Sequence, residues 1–249
     1  MTESSARPAA GEVSGTSAPE FRPGLVIAVD GPSGSGKSTA ARQAAALLGL
    51  RYLDTGSMYR ALTWWLLGQD VDLTDTAAVI GRLDEPLIEV GTDPGSPQIV
   101  VDGQDVAGPI RTREVSNAVS TVAAIPQVRR LLIGMQREII NEAAAAGAGI
   151  VAEGRDIGTV VAPAAPVKVY LTASERARAQ RRSADLAAGD PAATVSVIQG
   201  EQSRRDRKDA GQMAMASDAV QIDTTALGPD DVVGQIVAMA RQWTGVSRG

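Results

Sequence analysis

Residues 25–39 read LVIAVDGPSGSGKST. The apolar run at residues 25–29 has the length and bounds of a short buried strand, and it stops at Asp30. Gly31, Gly36, Lys37 and Ser38 then satisfy the spacing G-x-x-x-x-G-K-[ST]. The next stretch, AARQAAALLG, is rich in Ala and Leu and reads as a helix ending at Gly49. Strand, glycine turn, Lys-Ser and helix together form the context in which this spacing marks a phosphate-binding loop. Glycines let the backbone curl so that its N–H groups point inward at a polyphosphate. The positive end of the helix adds to the attraction. The Lys37 ammonium can reach the β- and γ-phosphates, and the Ser38 hydroxyl can hold Mg²⁺. The loop specifies a nucleotide without specifying kinase, GTPase or motor.

The totals around this stretch narrow the field. The 249 residues allow one domain with insertions or two small ones. Hydrophobic content of 44% and charged content of 21% are ordinary for a globular chain. Aromatics make up only 3%, so the core must be built from Ala, Val, Leu and Ile. A net charge of -5 makes no electrostatic case for nucleic acid or a membrane surface as partner. With no Cys and no His, thiolate and imidazole chemistry are excluded, leaving carboxylates, Lys, Arg and bound Mg²⁺. No apolar run approaches the roughly 20 residues of a membrane span, and the N-terminus lacks a basic-then-apolar signal. The expected compartment is the cytoplasm.

Outward from the loop, residues 1–23 are rich in Ser, Ala, Gly and Pro and read as a disordered tail. Residues 51–54 read as a second strand, and a helix opens at Thr55 and runs to about Gly68, with Leu62, Trp65 and Leu66 as core. The texture then changes. A short helix is expected from Thr74 to Ile80, strands at 87–90 and 99–101, and a tight turn at Asp102-Gly103. A helix from about Arg113 ends before Pro126, and a longer one spans 128–146. The α/β rhythm resumes with strands at 150–153, 167–171 and 219–223. Between and after them come an Arg-rich helix capped by Ser174, a polar helix at about 194–209 and a last helix at about 229–243. Five short buried strands alternating with helices predict a parallel sheet with helices on both faces.

Four further clusters stand out: YLDTGSMYR (52–60), IRTREVSNAVS (110–120) with Arg129, EGRDIGTVV (153–161) and SRRDRKD (203–209). Each alone has a plain alternative: a strand-to-helix turn capped by Asp54 or Thr55, ordinary helix polarity, a solvated turn with a surface ion pair, and a solvated helix face. Together, in this order and spacing, they closely resemble the bacterial cytidylate (CMP) kinase family over about residues 25–243.

The resemblance implies an α/β fold: a three-layer P-loop kinase core with a five-stranded parallel sheet, a small mixed α/β insertion that binds the monophosphate, and a helical lid. Here the core would be 24–67 and 127–249, the insertion 68–126, and the lid about 174–212. The reaction would be transfer of the γ-phosphoryl of ATP to CMP or dCMP, with Mg²⁺ as cofactor and small molecules as partners of a monomer. Gly31, Pro32, Ser33, Gly34, Ser35, Gly36, Lys37, Ser38 and Thr39 would bind ATP, with Ser38 on the metal. Cytosine would be read by Ser120, Arg129 and Asp156. Arg60 and Arg155 would hold the acceptor phosphate beside Thr55, and Arg205 and Asp209 the ribose. Lys37, Arg60, Arg155 and the lid arginines Arg181 and Arg182 would carry the catalytic charge. These residue types suit the task, because phosphoryl transfer needs in-line positioning and charge neutralisation more than covalent chemistry. A carboxylate at Asp156 can accept from the exocyclic amine of cytosine and would repel the carbonyl of uracil.

The pattern departs from the family after Asp209. The chain reads AGQMAMASDAV, shorter by about four residues, a change a loop tolerates. Gln212 stands near the place of an expected phosphate-binding arginine. Either Arg204 or Arg207 substitutes, or fewer arginines hold the acceptor and turnover falls. Two other functions therefore stay in view. One is a P-loop kinase for UMP or another small acceptor. The other is a nucleotide-binding module with weakened catalysis that works through a partner.

Overall fold

The computed structural model describes residues 24–186, 190 and 192–243. The tail expected at 1–23 lies outside the described residues. Five strands, β1 (Val26–Asp30), β2 (Arg51–Asp54), β6 (Ile150–Gly154), β7 (Val167–Thr172) and β8 (Val220–Asp223), form a parallel sheet in the order β2-β6-β1-β7-β8. Every neighbouring pair is parallel. The strand that feeds the glycine loop is thus central, with β6 on one side and β7 on the other. In such a sheet, ligands gather beyond the carboxyl ends of the strands where the winding direction changes.

Successive side chains of a strand face opposite ways, and the two faces of the sheet are covered differently. Ile27 and Val29 pack with α1 (Lys37–Leu48) and α8 (Pro229–Trp243). Ala28 faces the other cluster, with Met58, Leu62 and Leu66 of α2 (Thr55–Gly68) and Leu132 and Ile140 of α5 (Pro126–Ala145). The Ala-rich face of α1, Ala40, Ala41, Ala44 and Ala45, is wholly or almost wholly buried and lets α1 lie close to the sheet.

The segment after α2 holds α3 (Thr76–Ile80) and an antiparallel sheet of β3 (Ile88–Val90), β4 (Ile99–Val101) and β5 (Gln104–Asp105). It shares the hydrophobic cluster of α2 through Val79, Ile88, Ile99 and Val101. Asp102 and Gly103 both have positive φ, 51° and 78°, as the expected two-residue turn requires. The Asp102 carboxylate accepts from the Trp65 indole at 2.8 Å and from the Leu87 N–H at 2.8 Å, fastening this sheet to α2. Helix α4 (Arg113–Ala123) follows, capped by Thr112.

Two expected helix starts move. The one placed at Thr74 begins at Thr76, because the Asp75 carboxylate takes the N–H groups of Ala77 and Ala78 and caps it there. The one placed at residue 128 begins at Pro126, whose missing N–H and fixed φ suit a first helical position. After β6 the chain makes an unanticipated π-helical turn (Ile157–Val161), and after β7 come α6 (Glu175–Leu186) and α7 (Val195–Asp209).

Candidate active site

A cavity of about 510 Å³ opens where β1, β2 and β6 end. Residues 33–39 of the glycine loop line it, whereas Gly31 and Pro32 do not. These two serve the loop from behind. The Gly31 carbonyl accepts from Arg155 at 2.8 Å, and the Pro32 carbonyl accepts from the Lys37 ammonium at 3.2 Å. At Gly31 (φ 148°) a Cβ would stand 2.2 Å from the Leu171 carbonyl oxygen, so the position admits no side chain. At Gly34 (φ 79°) it would lie 2.9 Å from the Arg178 carbonyl oxygen and 2.9 Å from the Gln202 amide nitrogen. Helices α6 and α7 therefore lie directly on the loop.

Beside Lys37 stands a set of oxygen ligands. Glu153, at the end of β6, is buried and accepts from the Tyr52 hydroxyl at 2.8 Å. Burial and the neighbouring Asp54 carboxylate raise Glu153 above the ordinary carboxylate range, against the pull of Lys37 and of hydrogen bonds from Ser38 and Tyr52. Burial, then the Arg155 guanidinium, lower the Lys37 ammonium to about 7, with Glu153 opposing. Asp54 caps α2 by accepting from the Ser57 N–H at 3.0 Å. Thr55 lines the cavity, but its hydroxyl proton is committed to the Glu153 carbonyl at 2.7 Å. It cannot donate to a phosphate without releasing that strand. Glu153 and Asp54 carry clear signals in the structure that the sequence motifs alone did not single out.

Across the cavity the arginines crowd. Arg60 donates to the Ser116 hydroxyl at 2.7 Å and the Ile110 carbonyl at 3.3 Å. Burial, then Arg205, Arg182 and Arg111, works against its charge. Burial and Arg155 do the same to Arg205, which Asp209 partly relieves. Asp209 sits 3.6 Å from Arg155 and 3.8 Å from Arg205. A guanidinium does not shed its proton under such pressure. The unrelieved repulsion is a positive potential shaped for a multivalent anion. Arg111, at the start of the IRTREVS motif, lines this cavity and was not among the expected site residues.

A second, less charged corner holds Ser120, Arg129 and Asp156. Ser120 and Asp156 are only 5% and 7% exposed, yet both line the cavity. The Arg129 guanidinium donates to Asp156 at 2.5 Å and to the Gln212 side-chain oxygen at 2.9 Å. Burial opposes the Arg129 charge and Asp156 more than offsets it. The Ser120 hydroxyl is buried with no hydrogen-bond partner among the described residues. Such a group calls for a polar ligand atom.

The arginines of α6 divide between the two halves. Arg181 donates to the Thr224 hydroxyl at 3.0 Å and to its carbonyl at 2.5 Å, beside Gly36 of the loop. Arg182 reaches the Arg111 carbonyl at 3.3 Å, on the side of Arg60. Buried Arg178 pairs with Asp206 at 2.7 Å and donates to the Ser33 carbonyl at 3.1 Å, pinning α6 to α7 and to the loop. Arg113 joins Asp190 at 2.9 Å and Glu201 at 2.5 Å, pinning α7 to α4. Arg204 and Arg207, expected as substitutes for the missing arginine, are exposed and do not line the cavity. That reading is corrected: on α7 it is Arg205 that turns inward.

A family model described as "Cytidylate kinase" matches residues 27–242. The chain is 47% identical over 222 residues to the "Cytidylate kinase" of Streptomyces griseus subsp. griseus, covering 88% of this chain and 93% of that one. It is 48% identical over 220 residues to the "Cytidylate kinase" of Streptomyces coelicolor, covering 88% and 94%. Among solved structures, a gluconokinase from Sinorhizobium meliloti is similar with a TM-score of 0.47 and 16% identity, covering 90% of this chain and 95% of that one.

Proposed function

The chain belongs to the cytidylate kinase family, and on that premise we propose that its cavity moves the γ-phosphoryl group of ATP onto the phosphate of CMP or dCMP, yielding ADP and CDP or dCDP. One observation carries the reading: the buried Arg129–Asp156 pair and the unpartnered Ser120 hydroxyl share one cavity with the phosphate loop.

The loop N–H groups and Lys37 hold the donor polyphosphate. Arg60, Arg155 and Arg182 hold the acceptor phosphate and neutralise the moving charge, with Arg111 and Arg205 at its edge. Arginine suits this because its planar fork binds phosphate oxygens in pairs. Arg205 and Asp209 take the sugar hydroxyls. The Asp156 carboxylate accepts from the cytosine amine, and Arg129 and Ser120 meet the ring acceptors. A uracil carbonyl would face the Asp156 carboxylate with no proton between them, a repulsive contact. The segment 68–126 serves as the monophosphate-binding insertion and about 174–212 as the lid. Seating α6 and α7 over the loop excludes water and so suppresses hydrolysis of the donor.

The chemistry of the donor set fits Mg²⁺: the Ser38 hydroxyl, Asp54 and Glu153 offer hard oxygen ligands next to Lys37. These residues would hold the ion directly or through water, where it would neutralise charge on the β- and γ-phosphate oxygens.

Coupled ADP release with ATP and Mg²⁺ against CMP, dCMP, UMP and AMP tests the proposal. Turnover is expected with the cytidine nucleotides and is expected to lose its base preference in Asp156→Ala. ATP binding without acceleration by any monophosphate would overturn it.

A further inference from the structure

Gln212 stands near the place where the family resemblance leads one to expect a phosphate-binding arginine, and its side chain is engaged elsewhere. Its side-chain oxygen accepts from Arg129 at 2.9 Å, and its amide nitrogen donates to the Ala123 carbonyl at 3.3 Å. Ala123 is the last residue of α4, the helix that also carries Ser120. Gln212 itself lies just past α7, in the short turn Ala210–Gln212. One neutral amide thereby joins the end of α4, the start of the lid's exit loop and the guanidinium that grips Asp156.

We infer that Gln212 is a positioning residue for base recognition: it fixes the Arg129 guanidinium between itself and Asp156. This inference rests on the cytosine-reading function proposed above. A guanidinium has five N–H donors in a rigid plane. One terminal nitrogen of Arg129 is spent on Asp156 and the other on Gln212. Two anchors on two nitrogens define the plane, where Asp156 alone would leave rotation about one contact. The second hydrogen on each terminal nitrogen stays available to a ligand. Neutrality matters as well. A positive side chain at 212 would stand within hydrogen-bond range of the Arg129 guanidinium in this half-buried corner, and the two charges would repel. Glutamine offers Arg129 an acceptor and offers α4 a donor, which no cationic side chain can do.

On the function proposed above, the acceptor phosphate needs no charge from position 212, because Arg60, Arg155 and Arg182 all line the cavity on that side. The sequence departure at 212 therefore redistributes contacts rather than emptying the phosphate subsite.

The test is steady-state kinetics with CMP and UMP on the full chain carrying Gln212→Ala, Gln212→Met or Gln212→Arg, with Asp156→Ala in parallel. Gln212→Met keeps the length of the side chain and removes both hydrogen bonds, and urea unfolding midpoints identify any variant that fails for lack of folding. Loss of one hydrogen bond to a charged group predicts a rise of roughly 5- to 30-fold in KM for CMP in Gln212→Ala and Gln212→Met. The CMP-over-UMP preference shrinks by a similar factor, the loss falling on KM more than on kcat. Gln212→Arg lowers CMP affinity further. The inference is overturned if Gln212→Arg raises kcat or tightens CMP, which would place position 212 on the phosphate. It is overturned equally if Gln212→Met loses kcat with its base preference intact. Asp156→Ala separates the two levels: if it keeps full CMP preference, the cytosine reading itself fails. If it loses the preference while the Gln212 variants retain it, only the role of Gln212 falls.

Discussion

The Asp30 carboxylate accepts the backbone N–H of Gly158 at 2.8 Å, and its other oxygen accepts that of Ile157 at the same distance. Asp30 ends the strand that leads into the phosphate loop; Ile157 and Gly158 begin the π-helical turn that follows Arg155 and Asp156. One buried side chain thus sets the spacing between the glycine loop and the segment that carries Arg155 and Asp156. Burial raises Asp30 and the two N–H groups oppose that rise, so the interaction costs desolvation and is retained for geometry. Asp30→Ala would strand two buried donors and is expected to lose about 2–4 kcal/mol of stability. Asp30→Asn keeps one acceptor oxygen and should lose less. Urea unfolding of the two variants checks the order.

Lys37 makes ATP binding pH-dependent. Its ammonium is lowered to about 7 by burial and by Arg155. Donor phosphates favour the charged form, so the value rises on binding. Above the lowered value the free protein holds fewer protons than the complex. Binding at pH 8 in the presence of Mg²⁺ is therefore expected to take up close to one proton, and affinity declines as pH rises. Calorimetry in buffers of different ionisation enthalpy measures the uptake, and Lys37→Met should abolish it.

Gly34→Ala should act on α6 and α7 as well as on the loop. The added carbon has a φ of 79° to tolerate and two groups at 2.9 Å to displace, one of them backbone of α6. Expected outcomes are ATP affinity down by at least about 100-fold and a faster amide exchange of α6 and α7. Unchanged exchange in those helices would show that they do not rest on the loop as described.

Arg182→Ala should separate activity from stability. Burial opposes the charge of Arg182, and Arg111 and Arg60 lie close to it, with Asp185 and Glu201 offsetting part of that cost. Its loss is expected to cut kcat by about 100-fold or more, while the ligand-free protein keeps or gains up to about 1 kcal/mol of stability. Thermal melting should show that stabilisation by CMP falls in the variant.

What could be read from the sequence was what is encoded locally. The strand, loop and helix around Gly31 are contiguous, and their chemistry follows from spacing alone. Trp65, taken as core, is buried at 8% exposure. The segment 203–209 divided in a way composition could not show: Arg204 and Arg207 form a solvated face while Arg205 and Asp209 turn inward. Helical periodicity allows either outcome until a neighbouring surface chooses. Contacts between distant positions that no family motif joins were illegible. Gln212 meets Arg129 across 83 residues, and a glutamine at a loop position carries no signal of its partner. The engaged hydroxyl of Thr55 depends on a backbone carbonyl of β6, which no side-chain pattern can announce. The π-helical turn has its first two N–H groups capped by Asp30, a residue more than a hundred positions earlier.

Helix α7 touches the phosphate loop through Gln202, braces α6 through Asp206 and presents Arg205 and Asp209 to the cavity. A rigid rod fastened on both flanks cannot be lifted from one without being lifted from the other. A displacement of α7 away from Gly34 would therefore also disturb the Arg205–Asp209 side of the cavity.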